Sequence, residues 1–200
     1  MSEQGTGPEL FTIGHSNHSR EAFLERLRQH AIDVLVDVRS QPYSRYTPHF
    51  NTDELRAAVT EQGIRYVFLG RELGGRPEGA AFYDAEGHVL YGRVAESAPF
   101  LEGVEKVLRG GRMYRVALMC SEENPAVCHR HLLVARVLSE RGANVVHIRG
   151  DGRLQTEDEL LREEAGGESL FAPEEVLMVR PWKSLRSVSP KKAPPTSSDG

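Results

Sequence analysis

Two hundred residues, 39% of them hydrophobic, can bury one good core and fit a single domain rather than several. A formal charge of −4 excludes a uniformly basic nucleic-acid binder, so any cationic patch must be local. No apolar run approaches the roughly 20 residues of a membrane span, and Met1 to Glu9 is polar and glycine-rich without a signal-type apolar segment, so a cytoplasmic protein is expected.

Positions 1–10 read as a flexible tail, 11–182 as a single α/β domain and 183–200, rich in Ser, Pro and Lys, as a disordered tail. Phe11 to Ser16 forms a first strand ending on Gly14, His15 and Ser16. Ser19 caps a helix whose Phe23, Leu24 and Leu27 follow the 3.6-residue period. Val34 to Arg39 is a second strand, apolar without alternation and hence central and parallel. The proline-containing loop from Ser40 to Phe50 follows, then a helix capped by Asn51 and ending at Gly63.

Tyr66 to Leu69 is the third strand. After it the chain runs from Gly70 to about Tyr91 rich in glycine and aromatics, and a connection that long suggests a lid. One helix is expected over Val94 to Leu108. Val116 to Met119 is a strand buried on both faces, and it breaks into a polar loop at Cys120. Asn124-Pro125 then opens a helix from about Ala126 to Arg141, stopped by Gly142. Asn144 to Ile148 is the fifth strand, and Thr156 with Glu159 makes a capping box. Leu170 to Trp182 is expected to pack back on the domain. Strands alternating with helices imply right-handed βαβ units: an open, mainly parallel five-stranded sheet with helices on both faces, a Rossmann-like three-layer α/β fold.

In such sheets ligands bind beyond the carboxyl ends of the strands. Here those ends carry His15 and Ser16, Arg39 and Ser40, Arg71, Cys120 and Glu122, and His147 and Arg149. Every strand end thus offers a group able to do chemistry or hold an anion. Cys120 sits where a helix N-terminus lowers a thiol pKa, although cysteine is also a common buried strand residue. Cys128, next to His129, has the same ambiguity. Neither the spacing nor the number of cysteines fits a zinc knuckle, so no metal and no cofactor are expected. His15 reads equally as an acid–base group or as a loop-bonding side chain. Asp37, within a buried strand, either ties down the following loop or takes part in catalysis. Arg39, Arg45, Arg71, Arg76, Arg130 and Arg149 suggest recognition of phosphate or carboxylate, with about half of them expected instead to pair with Asp37, Glu72 or Glu122.

Several separated motifs carry a family resemblance. They are Thr12 to Ser16, Asp37 to Ser40 with Pro42, Ser44-Arg45 and Pro48 to Asn51, Leu73 to Arg76, and Met119 to Glu122 with Cys128-His129-Arg130. In these the chain resembles the domain-of-unknown-function 488 family, over roughly Phe11 to Ile148; the resemblance implies a grouping and no reaction. A weaker similarity, in Leu35 to Arg39 and the strand ending in Cys120, is to rhodanese-type sulfurtransferases, and it implies a persulfide-forming Cys120.

Three functions follow as expectations. The first is a small enzyme for an anionic, phosphate-bearing substrate such as a nucleotide or nucleic-acid end. There Cys120, Glu122, His15 and His129 would be catalytic, and Ser16, Arg39, Ser40, Arg45, His49, Arg71, Arg76, Cys128, Arg130 and His147 would bind substrate. The second is thiol chemistry at Cys120 or Cys128. The third is a non-catalytic adaptor for nucleic acid or protein.

Overall fold

The apolar runs without alternation do form buried strands. The computed structural model describes residues 7–164 and 182–188. In it Val34–Asp37 (β2) and Val116–Cys120 (β4) are buried at every position, and Glu9–Gly14 (β1) at all but its first. Arg65–Phe68 (β3), Asn144–Ile148 (β5) and Leu154–Thr156 (β6) complete one six-stranded sheet in the order β3-β2-β4-β1-β5-β6. The first five strands are parallel, and β6 runs antiparallel to β5. Five strands were expected. The sixth escapes a periodicity reading because it has only three residues, returned on β5 by a turn at Gly152, whose φ is +89°.

The chain steps from β1 to β2 to β3 toward one edge, then reverses through β4 to β5. Right-handed crossovers therefore have to change face at the reversal. Arg20–Gln29 (α1) and Thr52–Glu61 (α2) cover one face, packing Phe23, Leu27, Leu55 and Val59 on Phe11, Ile13, Leu35 and Met119. Tyr91–Ala95 (α3), Ala98–Gly111 (α4) and Arg136–Glu140 (α5) cover the other, where Val94, Phe100, Val104 and Leu138 meet Val34, Val36 and Leu118. Because the connections leaving β1 and β2 go to the opposite face from the one leaving β4, a crevice opens above the carboxyl end of β4.

Local signals decide the element ends. Ser19 Oγ accepts from Ala22 N–H at 3.1 Å and caps α1 as expected. Thr156 and Glu159 exchange N–H bonds of 2.8 and 3.2 Å, closing the capping box of Glu157–Glu164 (α6). Asn51 does not cap α2 with its side chain. Its Oδ1 takes the Ser44 N–H at 2.7 Å and fixes the preceding loop instead. The single helix expected over 94–108 is divided between α3 and α4 at Glu96-Ser97, since Pro99 suits only a new first turn.

The helix expected from Ala126 is also replaced. Asn124 Oδ1 caps a 3₁₀ turn over Pro125–Val127, and Arg130–Ala135 then form a π-type turn before α5. Such bulges recur at functional sites. Here His129, Arg130 and His131 reach three different partners: the Val38 carbonyl, the loop after β4, and Glu157 of α6.

Both chain ends extend the domain further than expected. Leu10 is fully buried, and Pro8 accepts the Asn144 N–H at 3.0 Å. Trp182 Nε1–H donates to Leu132 O at 3.0 Å, and Ser184 exchanges two 2.9 Å bonds with Val89. The tail placed from Lys183 thus includes a packed stretch, Lys183 to Val188, that seals the segment before α3 and supplies the wall of a cleft. The expectations for positions 1–6, 170–181 and 189–200 lie outside the described residues.

α6 is fastened by charge. His131, 1% exposed, lies 2.8 Å from Glu157 and 3.4 Å from Glu164. Burial alone pushes its imidazole down, but the two carboxylates outweigh that and raise its pKa to about 9. A raised pKa means stability that is complete below the unfolded value of about 6.5 and lost as pH rises through 9. His131→Gln should remove that pH dependence and cost about 3 kcal/mol in urea unfolding near neutral pH, because it takes away the buried cation that both carboxylates face.

Candidate functional site

The first loop over the crevice is held by a salt bridge in the sheet. Asp37 is fully buried at the end of β2, and its carboxylate is gripped by the Arg39 fork through Nε at 2.9 Å and Nη2 at 2.6 Å. Tyr66 O–H donates to the same carboxylate at 2.8 Å. Arg39 Nη2 also donates to Phe50 O at 2.8 Å, so the guanidinium ties β2 to the far end of the Ser40–Phe50 loop. Asp37 is therefore a loop anchor, the structural alternative left open by the sequence. His15 completes this layer. Its Nδ1–H donates to Ser16 O at 2.8 Å, which leaves Nε2 to accept from Arg39 Nη1 at 3.2 Å while the ring stacks on Phe50. Burial first, and Arg39 second, lower its pKa to about 4. His15 is thus a neutral acceptor that positions Arg39, not an acid–base group at neutral pH.

The second loop is held by Arg130. Its guanidinium is fully buried, and it donates through Nε to Thr12 Oγ1 at 3.2 Å, through Nη2 to Glu123 O at 2.6 Å and through Nη1 to Glu122 O. Among the described residues no carboxylate lies within ion-pair distance of it. Arg130 is thus a structural cation beneath the loop rather than a substrate ligand. Gly14 fits the same arrangement, because a Cβ there would overlap the Glu122 carbonyl.

Between these loops stand Cys120, Cys128 and His129. Val38 O can only accept, so His129 Nε2, 3.1 Å from it, carries the ring hydrogen. The tautomer that this bond selects turns the Nδ1 lone pair toward Cys120 Sγ at 3.6 Å and Cys128 Sγ at 3.9 Å. The two thiols are pushed apart. The Cys128 thiol, donating to Cys120, lowers the Cys120 pKa; burial opposes this, and the Arg130 charge and the N–H groups of Ser121 and Glu122 reinforce it. Burial and the neighbouring sulfur raise Cys128. Gly75 lies flat against His129, and a Cβ there would stand 2.7 Å from the ring. At Gly74 a Cβ would instead overlap the Gly70 carbonyl and Ser40 Oγ.

The cleft above measures about 280 Å³. Of the residues expected at the site it brings together Cys120, Glu122, His129, Arg39, Ser40, Arg76 and Cys128. The others are elsewhere. His15 and Arg130 support it from below. Arg45 is exposed and stacks on Tyr46, His49 bonds His18 O at 3.0 Å, Arg71 is solvent-exposed, and Ser16 bonds its neighbour Asn17. His147 is buried in a separate group, bonded to Thr12 Oγ1 at 2.7 Å and facing Glu157 at 3.2 Å. Arg149 is clamped by Glu123. Sequence reasoning missed Tyr91 and Arg186 as cleft residues. Tyr91 was placed only at the end of a loop without periodicity, and Arg186 falls in a stretch whose composition signals disorder. Among the described residues three trios have ligand atoms within 4.8 Å of one another and could hold a metal: Cys120, Cys128 and His129; His131, His147 and Glu157; and Asp84, Glu86 and His88.

A family model described as domain of unknown function DUF488 matches residues 19–137, spanning α1 through the Cys-His-Arg segment. No curated protein and no solved structure matches the chain, and the rhodanese-type likeness finds no support in these comparisons.

If Arg39 anchors the first loop as described, Arg39→Ala leaves Asp37 buried and short of its cation. The expected loss is about 3–5 kcal/mol in chemical denaturation. Arg39→Lys should recover only part of it, because an ammonium cannot bridge both carboxylate oxygens.

Proposed function

The chain belongs to the DUF488 family, and from that premise we propose that it is a thiol enzyme in which Cys120 transfers a group from a small anionic substrate. The observation that carries this reading is the tautomer of His129, pinned by Val38 O so that its basic nitrogen faces Cys120. Nucleophile, base and a third group orienting the base form the arrangement expected for covalent catalysis. A simple phosphate pocket is less well supported, because Arg39, Arg130 and Arg149 are already engaged by Asp37, by backbone carbonyls and by Glu123. Arg76 and Arg186 remain, two cleft arginines with no ion pair among the described residues. They suit a substrate that bears a carboxylate or phosphate away from the reacting atom.

In the proposed step His129 Nδ1 takes the Cys120 proton, and the thiolate attacks an electrophilic acyl, phosphoryl or sulfane centre. The bond to the leaving group breaks with its electron pair, and the leaving group departs with the proton from His129. Water or a second nucleophile then attacks the thioester or thiophosphate, or a thiol attacks the outer sulfur of the persulfide, and Cys120 leaves as the thiolate. Glu122, exposed at the cleft, is placed to take a proton from that acceptor.

Alkylation followed by mass spectrometry at each cysteine tests this. Cys120 should react with iodoacetamide well below the free-thiol pKa of about 8.5, Cys128 should not, and His129→Ala should slow Cys120 at least about tenfold. Anionic iodoacetate should gain on neutral iodoacetamide relative to free cysteine, and Arg76→Ala with Arg186→Ala should abolish that gain. Two cysteines that react no faster than free cysteine at neutral pH would overturn the proposal.

A further inference from the structure

The two sulfurs and the imidazole nitrogen stand at distances that thiol chemistry alone does not require. A tetrahedral zinc ion has bonds of about 2.3 Å to sulfur and about 2.0–2.1 Å to nitrogen. Those lengths at the tetrahedral angle put a sulfur and a nitrogen ligand about 3.6 Å apart. Here His129 Nδ1 lies 3.6 Å from Cys120 Sγ and 3.9 Å from Cys128 Sγ, and all three atoms fall within 4.8 Å of one another. The outer contact agrees. A metal-bound histidine donates its other ring N–H to a carbonyl or carboxylate, which fixes the ligating nitrogen, and His129 Nε2–H donates to Val38 O at 3.1 Å.

We infer that Cys120, Cys128 and His129 together bind one thiophilic divalent cation, zinc fitting best, with the fourth coordination position open to the cleft. Two sulfurs and an imidazole select zinc over magnesium or calcium, which require oxygen ligands. Three protein ligands with one open position are the pattern of an exchangeable or reactive site rather than a closed structural one. Binding displaces both thiol protons to solvent, so affinity rises with pH. The two other trios are poorer candidates: His131 already stands in ion pairs with Glu157 and Glu164, and of Asp84, Glu86 and His88, Asp84 is paired with Lys183 and Glu86 is exposed. The consequence for reactivity rests on the reading of Cys120 as the nucleophile: the ion holds it as a masked thiolate, and removal of the ion releases it. Cation binding itself does not depend on that reading.

The full chain, stripped with a chelator and dialysed, is titrated with Co²⁺ and then with Zn²⁺, with alkylation of each cysteine followed in parallel. The expected result is one cobalt per chain, with thiolate-to-cobalt charge-transfer bands that zinc abolishes. Cys128→Ser and His129→Ala should each weaken binding at least about a hundredfold, since losing even an outer-shell partner of a ligand costs about 10–100-fold. One equivalent of zinc should protect both cysteines of the wild-type chain, and chelator should restore reactivity. That readout needs no variant to fold. No thiolate–cobalt band, or a band undiminished in Cys128→Ser, overturns the site. Fast Cys120 alkylation that zinc leaves unchanged also overturns it while the nucleophile reading survives. Zinc protection of thiols that are sluggish even when metal-free upholds the site and removes the nucleophile reading instead.

Discussion

A buried guanidinium with no carboxylate beside it is costly, and in this protein Arg130 occupies such a place among the described residues. Its hydrogen bonds account for the arrangement around it. Two go to the Glu122 and Glu123 carbonyls and hold the loop leaving β4 over the sheet. A third goes to Thr12 Oγ1, whose hydroxyl, having accepted from Arg130, has its own hydrogen to give to His147 Nδ1. His147 Nε2 is then the protonated nitrogen, and it faces Glu157 on α6. One side chain thus connects the central strands, the turn beneath the cleft and α6. The Cys128 thiol does most to lower the Cys120 pKa, and the Arg130 charge, left uncancelled by an acidic partner, adds to it.

The two halves of the cleft solve the same problem differently. Beyond β2 the cation is neutralised: Arg39 is matched by Asp37, and its remaining bonds serve the Phe50 carbonyl and His15. Beyond β4 the cation is satisfied by carbonyl oxygens and keeps its field. This asymmetry explains why a chain dense in arginine near its strand ends does not amount to a phosphate basket. It also explains the separation of the two thiols. Cys120 has the loop N–H groups and the Cys128 thiol as donors, whereas Cys128 is held protonated by burial and by the adjacent sulfur.

Much of the architecture is legible in the sequence because period-free apolar strands and helix caps are local signals. β2, β4 and β5, the Ser19 cap and the Thr156–Glu159 box come directly from them. Glu122, Cys120 and His129 are found for a related reason: they follow a buried strand at a reversal of sheet order. What the sequence hides is set by long-range partners. Whether Arg130 reaches a ligand or a carbonyl depends on Gly14 admitting the Glu122 backbone, more than a hundred positions away in the chain. His15 becomes a neutral acceptor only because Arg39 lies across from it. Composition misplaced Arg186, since a stretch of Ser, Lys and Arg reads as solvated until Ser184 pairs with Val89.

The proposed chemistry requires the Cys120 thiol to ionise more readily than a free thiol, with the Cys128 thiol and the buried Arg130 beside it. Ultraviolet thiolate absorbance of the metal-free chain, followed from acid to alkaline pH and compared with Cys120→Ser, tests that most directly. One group should titrate below the free-cysteine value of about 8.5 in the wild type and be missing from the variant. A first thiolate that forms only at or above that value, or that persists unchanged without Cys120, would contradict it.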